Sequence, residues 1–235
     1  MTKLIFALHA DGLADVLRSP DLRDRLRAAG AHRLQVNVDD ADVADAPLRF
    51  GPGTPITAVV SVWTSDAPDG SVDVVVDGVV AVLREVDPTT DGWRVDERRP
   101  IEPPAVADGV RADALANLAF LRRPAAMSPQ DWLEDWLERH TSVAIDTQGT
   151  FGYVQNPVLA RVTGAPTEDT DDVAGIVEEL FPMAAMTDTH AFYGSGGDDS
   201  ELDRRFTTLM ESVSRFGADH GLDLVPTSRY HWELA

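Results

Sequence analysis

A chain of 235 residues, 43% hydrophobic and 26% charged, fits one large domain or two small ones and is too apolar for wholesale disorder. Its formal net charge of −20 argues against nucleic acid and anionic membranes as partners, because both select a basic surface. With no cysteine there is no disulfide framework, no thiolate nucleophile and no cysteine-ligated zinc.

The opening MTKLIFALHADGLADVL does not match a signal peptide, since its apolar run is short and acidic residues stand where a small-residue cleavage site belongs. No segment approaches the ~20 apolar residues of a membrane span. A soluble, cytoplasmic protein with a solvated acidic surface is expected.

In chain order, KLIFALHA (3–10) predicts a buried strand. The segment 11–30 has helical spacing, is interrupted at Pro20 and ends at Gly30. HRLQVNV (32–38) and ITAVVSVWTS (56–65) predict strands. Residues 72–86 are ambiguous: their β-branched content favours strand, whereas DGVVAVLREV suits a helix. GWRVDERRPIEP closes this half as a strand. The second half repeats the order, with a strand at 114–123, a helix from Ser128, strands at 151–162 and 172–181, a helix at 198–218 and a last strand at 223–234.

Each half thus reads β-α-β-β-α-β, the ferredoxin-like order. The fold expected is α+β, two such units at 1–103 and 104–235 joined at the proline-rich 98–109 and closing a barrel within the chain. HRLQVNV and FGYVQNPV align so that Asn37 falls on Asn156, each in the second strand of its unit.

SPQDWLEDWLERH carries the most chemistry. Ser128 stands as an N-cap, and Trp132, Trp136 and His140 follow at four-residue spacing on one helix face. A histidine on such a stripe either packs in the core against a backbone carbonyl or serves as a general acid or base. Tyr153 and Gln155 share one face of the next strand and Asn156 takes the other, so the three line one cavity only if a bulge intervenes. In SRYHWEL, His231 shares a face with Arg229 and Glu233. The histidines show no HxH or HExxH spacing, so no metal site is expected.

LAFLRRPAAMSPQDWLEDWLERHTSVAIDTQGTFGYVQNPVL, VAGIVEELFPMAAM and SRFGADHGLDLVPTSRYHW together resemble the EthD family of dimeric α/β-barrel proteins over about residues 114–235. Gly152 stands where that family usually has arginine, Ala174 where it has aspartate, and SRF matches the late aspartate–phenylalanine element only loosely. The resemblance implies a barrel of two ferredoxin-like units, here an internal pseudo-dimer or a homodimer, enclosing a small hydrophobic, aromatic or polyketide-like molecule. It implies a cofactor-independent cyclase, dehydratase or isomerase with His140 and Tyr153 as catalytic residues. Trp132, Trp136, Asn156 and His231 would contact the ligand, in the second unit. The first unit, without the tryptophans and histidine, would only support it. Haem, which occurs in this wider fold, lacks a basic cluster for its propionates here. The other expectation is a non-catalytic protein that merely holds a ligand in the same pocket.

Overall fold

The computed structural model describes residues 1–65, 72–164 and 172–234. Its strands are β1 (Thr2–Leu8), β2 (Ala31–Val38), β3 (Ala58–Thr64), β4 (Asp91–Val95), β5 (Arg98–Ile101), β6 (Leu115–Arg122), β7 (Gly152–Arg161), β8 (Val173–Phe181) and β9 (Asp223–Glu233). The helices are α1 (Ala14–Leu17), α2 (Pro20–Ala28), α3 (Val72–Val86), α4 (Pro129–Glu134), α5 (Thr141–Thr147), α6 (Thr189–Tyr193) and α7 (Asp199–Arg215). The protein is α+β, and its sheet closes into an antiparallel barrel.

The strand order is β4-β1-β3-β2-β9-β6-β8-β7, and β7 returns to β4. Closure leaves no unpaired edge among these eight strands. Two seams join the halves: β2 with β9, and β7 with β4 followed by β5 along the same side. The single strand expected over 92–103 is therefore two, β4 and β5, separated at Asp96–Glu97.

Strand alternation sorts the side chains into an interior and an outer layer. Ile5, Val59, Trp93, Phe120, Ile176 and Val225 fill the middle of the barrel. Polar side chains occupy the rest of it. Glu178 Oε1 accepts from Gln35 Nε2 at 2.9 Å, Asn37 Nδ2 at 3.0 Å and Arg229 Nε at 3.1 Å. Lys3 Nζ donates to Glu97 at 2.7 Å and to Asn156 Oδ1 at 2.8 Å. These charges are buried in partnership, the condition under which ions are tolerated out of water.

The outer faces carry the helices. Residues 72–86 are helical because Val76, Val79, Val80 and Leu83 fall at i, i+3, i+4 and i+7 and pack on the sheet. Packing of that stripe overrides the β preference of valine. Helices α2 and α4 begin alike: Ser19 and Ser128 cap them, accepting from Leu22 N and Asp131 N, and a proline follows each cap. Between α4 and α5 the chain makes a π turn, Asp135–His140. Four-residue spacing drifts about 40° per step on an α-helix, and the wider turn absorbs that drift. Trp132, Trp136, His140 and Ala144 therefore all remain buried. Thr141 Oγ1 donates to Leu137 O at 2.7 Å, satisfying a carbonyl in the widened turn.

Candidate functional site

The outer face of the second half carries a polar row where core packing would call for apolar residues. Asn117 on β6 pairs with Glu179 on β8, and Glu179 pairs with Tyr153 on β7. Directly opposed residues on one sheet face have Cβ atoms about 5 Å apart, so the three side chains stand side by side. Around them lie Val177, Leu121, Trp136 and Leu209, the apolar layer beneath α4 to α7.

At the Asn117 end the layer opens into a cavity of about 410 Å³. Leu115 and Asn117 form its floor; Phe192 and Tyr193 of α6 and Leu202 and Phe206 of α7 form its walls. The remaining side comes from the first half, whose loop after β2 crosses over and contributes Ala46, Pro47 and Leu48. Phe50 N donates to Leu224 O at 3.2 Å and Leu224 N to Phe50 O at 2.8 Å, pinning that loop to β9. Leu48 and Phe206 are about half exposed, giving the mouth an apolar lip.

Asn117 is the singular feature. It is 4% exposed and lines the cavity, yet its side-chain amide makes no hydrogen bond to any described residue. An amide that opens onto a cavity with no protein partner is free to bond to whatever occupies that cavity.

Glu179 is next in the row. Burial pushes its carboxyl up to about 7, against the smaller opposing effect of a hydrogen bond from Gln148. With its amide turned to satisfy both ends, Gln148 donates to Glu179 Oε1 at 3.0 Å and to Ala144 O at 3.2 Å. Burial also raises Tyr153 well above the usual tyrosine value, and the Glu179 charge adds to it. Tyr193 is raised for the same two reasons, in the same order. Near neutrality the site thus holds neutral phenols and one carboxyl able to exist in either form.

The residues expected from the sequence are divided among three places. Trp132, Trp136, His140 and Tyr153 lie together in the packed layer under α4 and α7. His140 Nδ1 is 3.0 Å from Ser212 Oγ, and its ring lies tilted against Phe216 with centroids 4.9 Å apart. Arg215 donates to the same Ser212 oxygen at 2.9 Å, leaving the hydroxyl proton for the imidazole. Burial, then the Arg215 charge, lowers His140 to about 4. Trp132 Nε1 donates to Phe216 O at 3.0 Å, and the two indoles pack 5.1 Å apart. Asn156 points the other way, into the barrel, donating to Ile176 O at 3.0 Å. The register from Tyr153 to Asn156 is unbroken, so no bulge brings them to one side. His231 sits half-buried on the barrel seam, 3.7 Å from Asp108, its pKa lowered by burial and by Arg229.

A second cavity, about 300 Å³, opens at one mouth of the barrel beside Trp93 and Phe120. Its charged groups pair with one another: Arg161 holds Asp91 and Asp172, and Arg122 holds Asp223 at 2.9 Å. Among the described residues no group of three or more metal-ligating side chains is placed to hold an ion, and no helix is long and apolar enough to cross a membrane.

No family model matches the chain, and no curated protein matches its sequence. Solved structures do match its shape. An anthrone oxidase-like protein aligns with 100% of this chain and 93% of its own, at a TM-score of 0.50 and 10% identity. A candidate monooxygenase from Fusobacterium nucleatum subsp. nucleatum aligns over 97% and 91%, at 0.50 and 6% identity. One from Lactobacillus acidophilus NCFM aligns over 97% and 93%, at 0.47 and 9% identity. The fold, a closed antiparallel barrel with helices on its outer face, is shared with the first two of these structures.

In such a barrel, sequence inspection alone passes over Asn117 and Glu179. Both had signals. Asn117 is the one polar residue in LANLAFL, and two adjacent glutamates in a central strand, VAGIVEELF, must point one into the barrel and one under the helices.

Proposed function

We propose that this chain is an EthD-like, cofactor-independent enzyme of the cyclase, dehydratase or isomerase kind. Its substrate is a small, largely aromatic molecule bearing a carbonyl or hydroxyl group. The barrel in this reading is an internal pseudo-dimer: each half has the order β-α-β-β-α-β with its strands arranged 4-1-3-2, as a ferredoxin-like unit does. The ligand occupies the cavity between β6, α6 and α7.

The single observation that carries the reading is the Asn117 amide, which faces a mostly apolar cavity and has no hydrogen-bond partner among the described residues. Apolar walls with a few fixed polar groups are how pockets of this size bind and orient small molecules. An aromatic ketone presents the matching surface: flat apolar area for Phe192, Tyr193 and Phe206, and one oxygen for the amide. The neighbour described as anthrone oxidase-like is named for a ketone of that kind.

The test is calorimetric titration with two aromatic ketones, anthrone and 2-tetralone, against the wild-type protein, Asn117→Ala and Leu202→Trp. Saturable binding, weakened about tenfold by Asn117→Ala and abolished by the tryptophan that fills the cavity, is expected. Binding indifferent to both substitutions would remove the cavity from the proposal. A protein that merely stores its ligand would bind equally well and leave the ketone chemically unaltered in solution.

A further inference from the structure

We propose that Glu179, one strand beyond the cavity floor, is the group that moves a proton for a ligand held by Asn117, and that the substrates are carbonyl compounds with an exchangeable C–H beside the carbonyl. The inference rests on the ligand site described above and assigns its chemistry to a residue outside the tryptophan–histidine stripe.

Position comes first. Glu179 is the immediate cross-strand neighbour of Asn117 on the same face of the sheet, just outside the residues that line the cavity. Its Cβ stands about 5 Å from that of Asn117, so it meets a ligand held by the amide where that ligand extends past Asn117 toward β8. Glu179 is half-buried, whereas Glu178, its neighbour in the chain, points into the barrel, where its Oε1 accepts three hydrogen bonds. The carboxyl of Glu179 has one fixed partner, Gln148. A carboxylate has about four lone-pair sites, so one amide contact holds the group in place and leaves capacity for a proton.

The proton balance is simple. The Glu179 carboxylate takes a proton from the carbon beside the carbonyl, and the electron pair of that C–H bond moves onto the carbonyl oxygen as an enolate. Asn117 Nδ2–H donates to that oxygen, stabilising charge where it develops. The protonated Glu179 then returns the proton to the same carbon or to another carbon of the enolate, which exchanges or isomerises the ketone. No oxidant, reductant or metal enters. A carboxyl that titrates close to neutrality suits both halves of the cycle.

The other ionisable groups around it are differently placed. Tyr153 on β7 and Tyr193 on α6 are held neutral by burial and by the Glu179 charge. Asp203 on α7 is at the exposed rim of the cavity. Arg205 on α7 is occupied by Glu201 at 2.7 Å and by the Tyr193 carbonyl at 2.9 Å. His140 is committed to Ser212.

The experiment follows deuterium uptake by 2-tetralone in D₂O using proton NMR, with binding measured in parallel on the same samples. Wild-type protein is expected to speed exchange at least a hundredfold over buffer, with the rate rising through about pH 7 as Glu179 ionises. Glu179→Gln is expected to bring the rate to that of buffer while binding stays within about threefold, and Glu179→Asp to restore part of it. His140→Gln is expected to keep wild-type exchange. Ketone that binds but exchanges no faster than in Glu179→Gln overturns the proton-transfer proposal and leaves the ligand site standing. Failure of 2-tetralone to bind the wild-type protein overturns both.

Discussion

The two helix-covered faces of the barrel answer one packing problem in opposite ways. On the first half, Val60 lies between Phe6 and Val36, all fully buried beneath α2 and α3. On the second half the corresponding trio is Glu179 between Asn117 and Tyr153. The first face is packed almost wholly with apolar side chains; its polar atoms include the Tyr230 hydroxyl, bonded to Arg18 at 3.0 Å, and the unpartnered Thr64 Oγ1. The second keeps a polar row and a cavity under its helices. The same arrangement of strands and helices can serve as a plug or as a site, and the choice lies in a few outward-pointing residues rather than in topology.

Transplanting the row breaks this comparison most severely. Val60→Glu puts a carboxylate into the filled face, where no amide or cavity receives it, and is expected to cost about 3–5 kcal/mol at pH 8 by urea unfolding. The reciprocal Glu179→Leu should be neutral or stabilising at that pH. Equal losses in both variants would show the two faces to be alike.

The pH dependence of stability is the next largest effect, and two titratable groups under the helices of the second half, Glu179 and His140, oppose each other. Glu179 is raised from 4.5 to about 7, so its favourable contribution is complete below about pH 4.5 and is lost as pH rises through about 7. His140 is lowered from 6.5 to about 4, so its contribution is complete above about pH 6.5 and is lost as pH falls through about 4. Across pH 4.5 to 6.5 the wild-type protein should lose stability relative to Glu179→Gln and gain it relative to His140→Gln. Each change is on the order of 3 kcal/mol over its full range. Parallel curves for wild type and either variant would show that the group concerned is not buried as described.

Gly175→Ala sharpens the packing side of the comparison. A Cβ there would meet the Trp136 ring at 2.4 Å, so the indole must move off the sheet, at about 1–3 kcal/mol. Smallest are the caps: Ser19→Ala and Ser128→Ala should each cost about 1 kcal/mol, read as a lowered melting temperature. A loss at only one of them would show that the matching Ser-Pro starts do unequal work.

Most strands were legible because alternation and short apolar runs have few other interpretations. The helix at 72–86 was ambiguous since valine content and amphipathic spacing disagree, and only the sheet beneath decides between them. The break between β4 and β5 was hidden because both segments are extended and differ only in their partners. The cavity proposed as the site lies between the sheet and the helices of residues 104–235, the half and the face in which a pocket was expected. Its residues were less legible. Trp132, Trp136 and His140 advertise themselves by spacing, but the same regularity seats them in packed core. Asn117 and Glu179 belong to different strands and meet only through register, which no local pattern encodes.

The loop after β2 has a consequence for how such a protein changes over time. Because Ala46, Pro47 and Leu48 close a chamber floored by the other half, neither half inherits a complete receptacle. A substitution in that loop can reshape the mouth of the cavity without disturbing Asn117 or Glu179. The form of the opening and the polar row beneath it are thereby free to vary on separate stretches of one polypeptide.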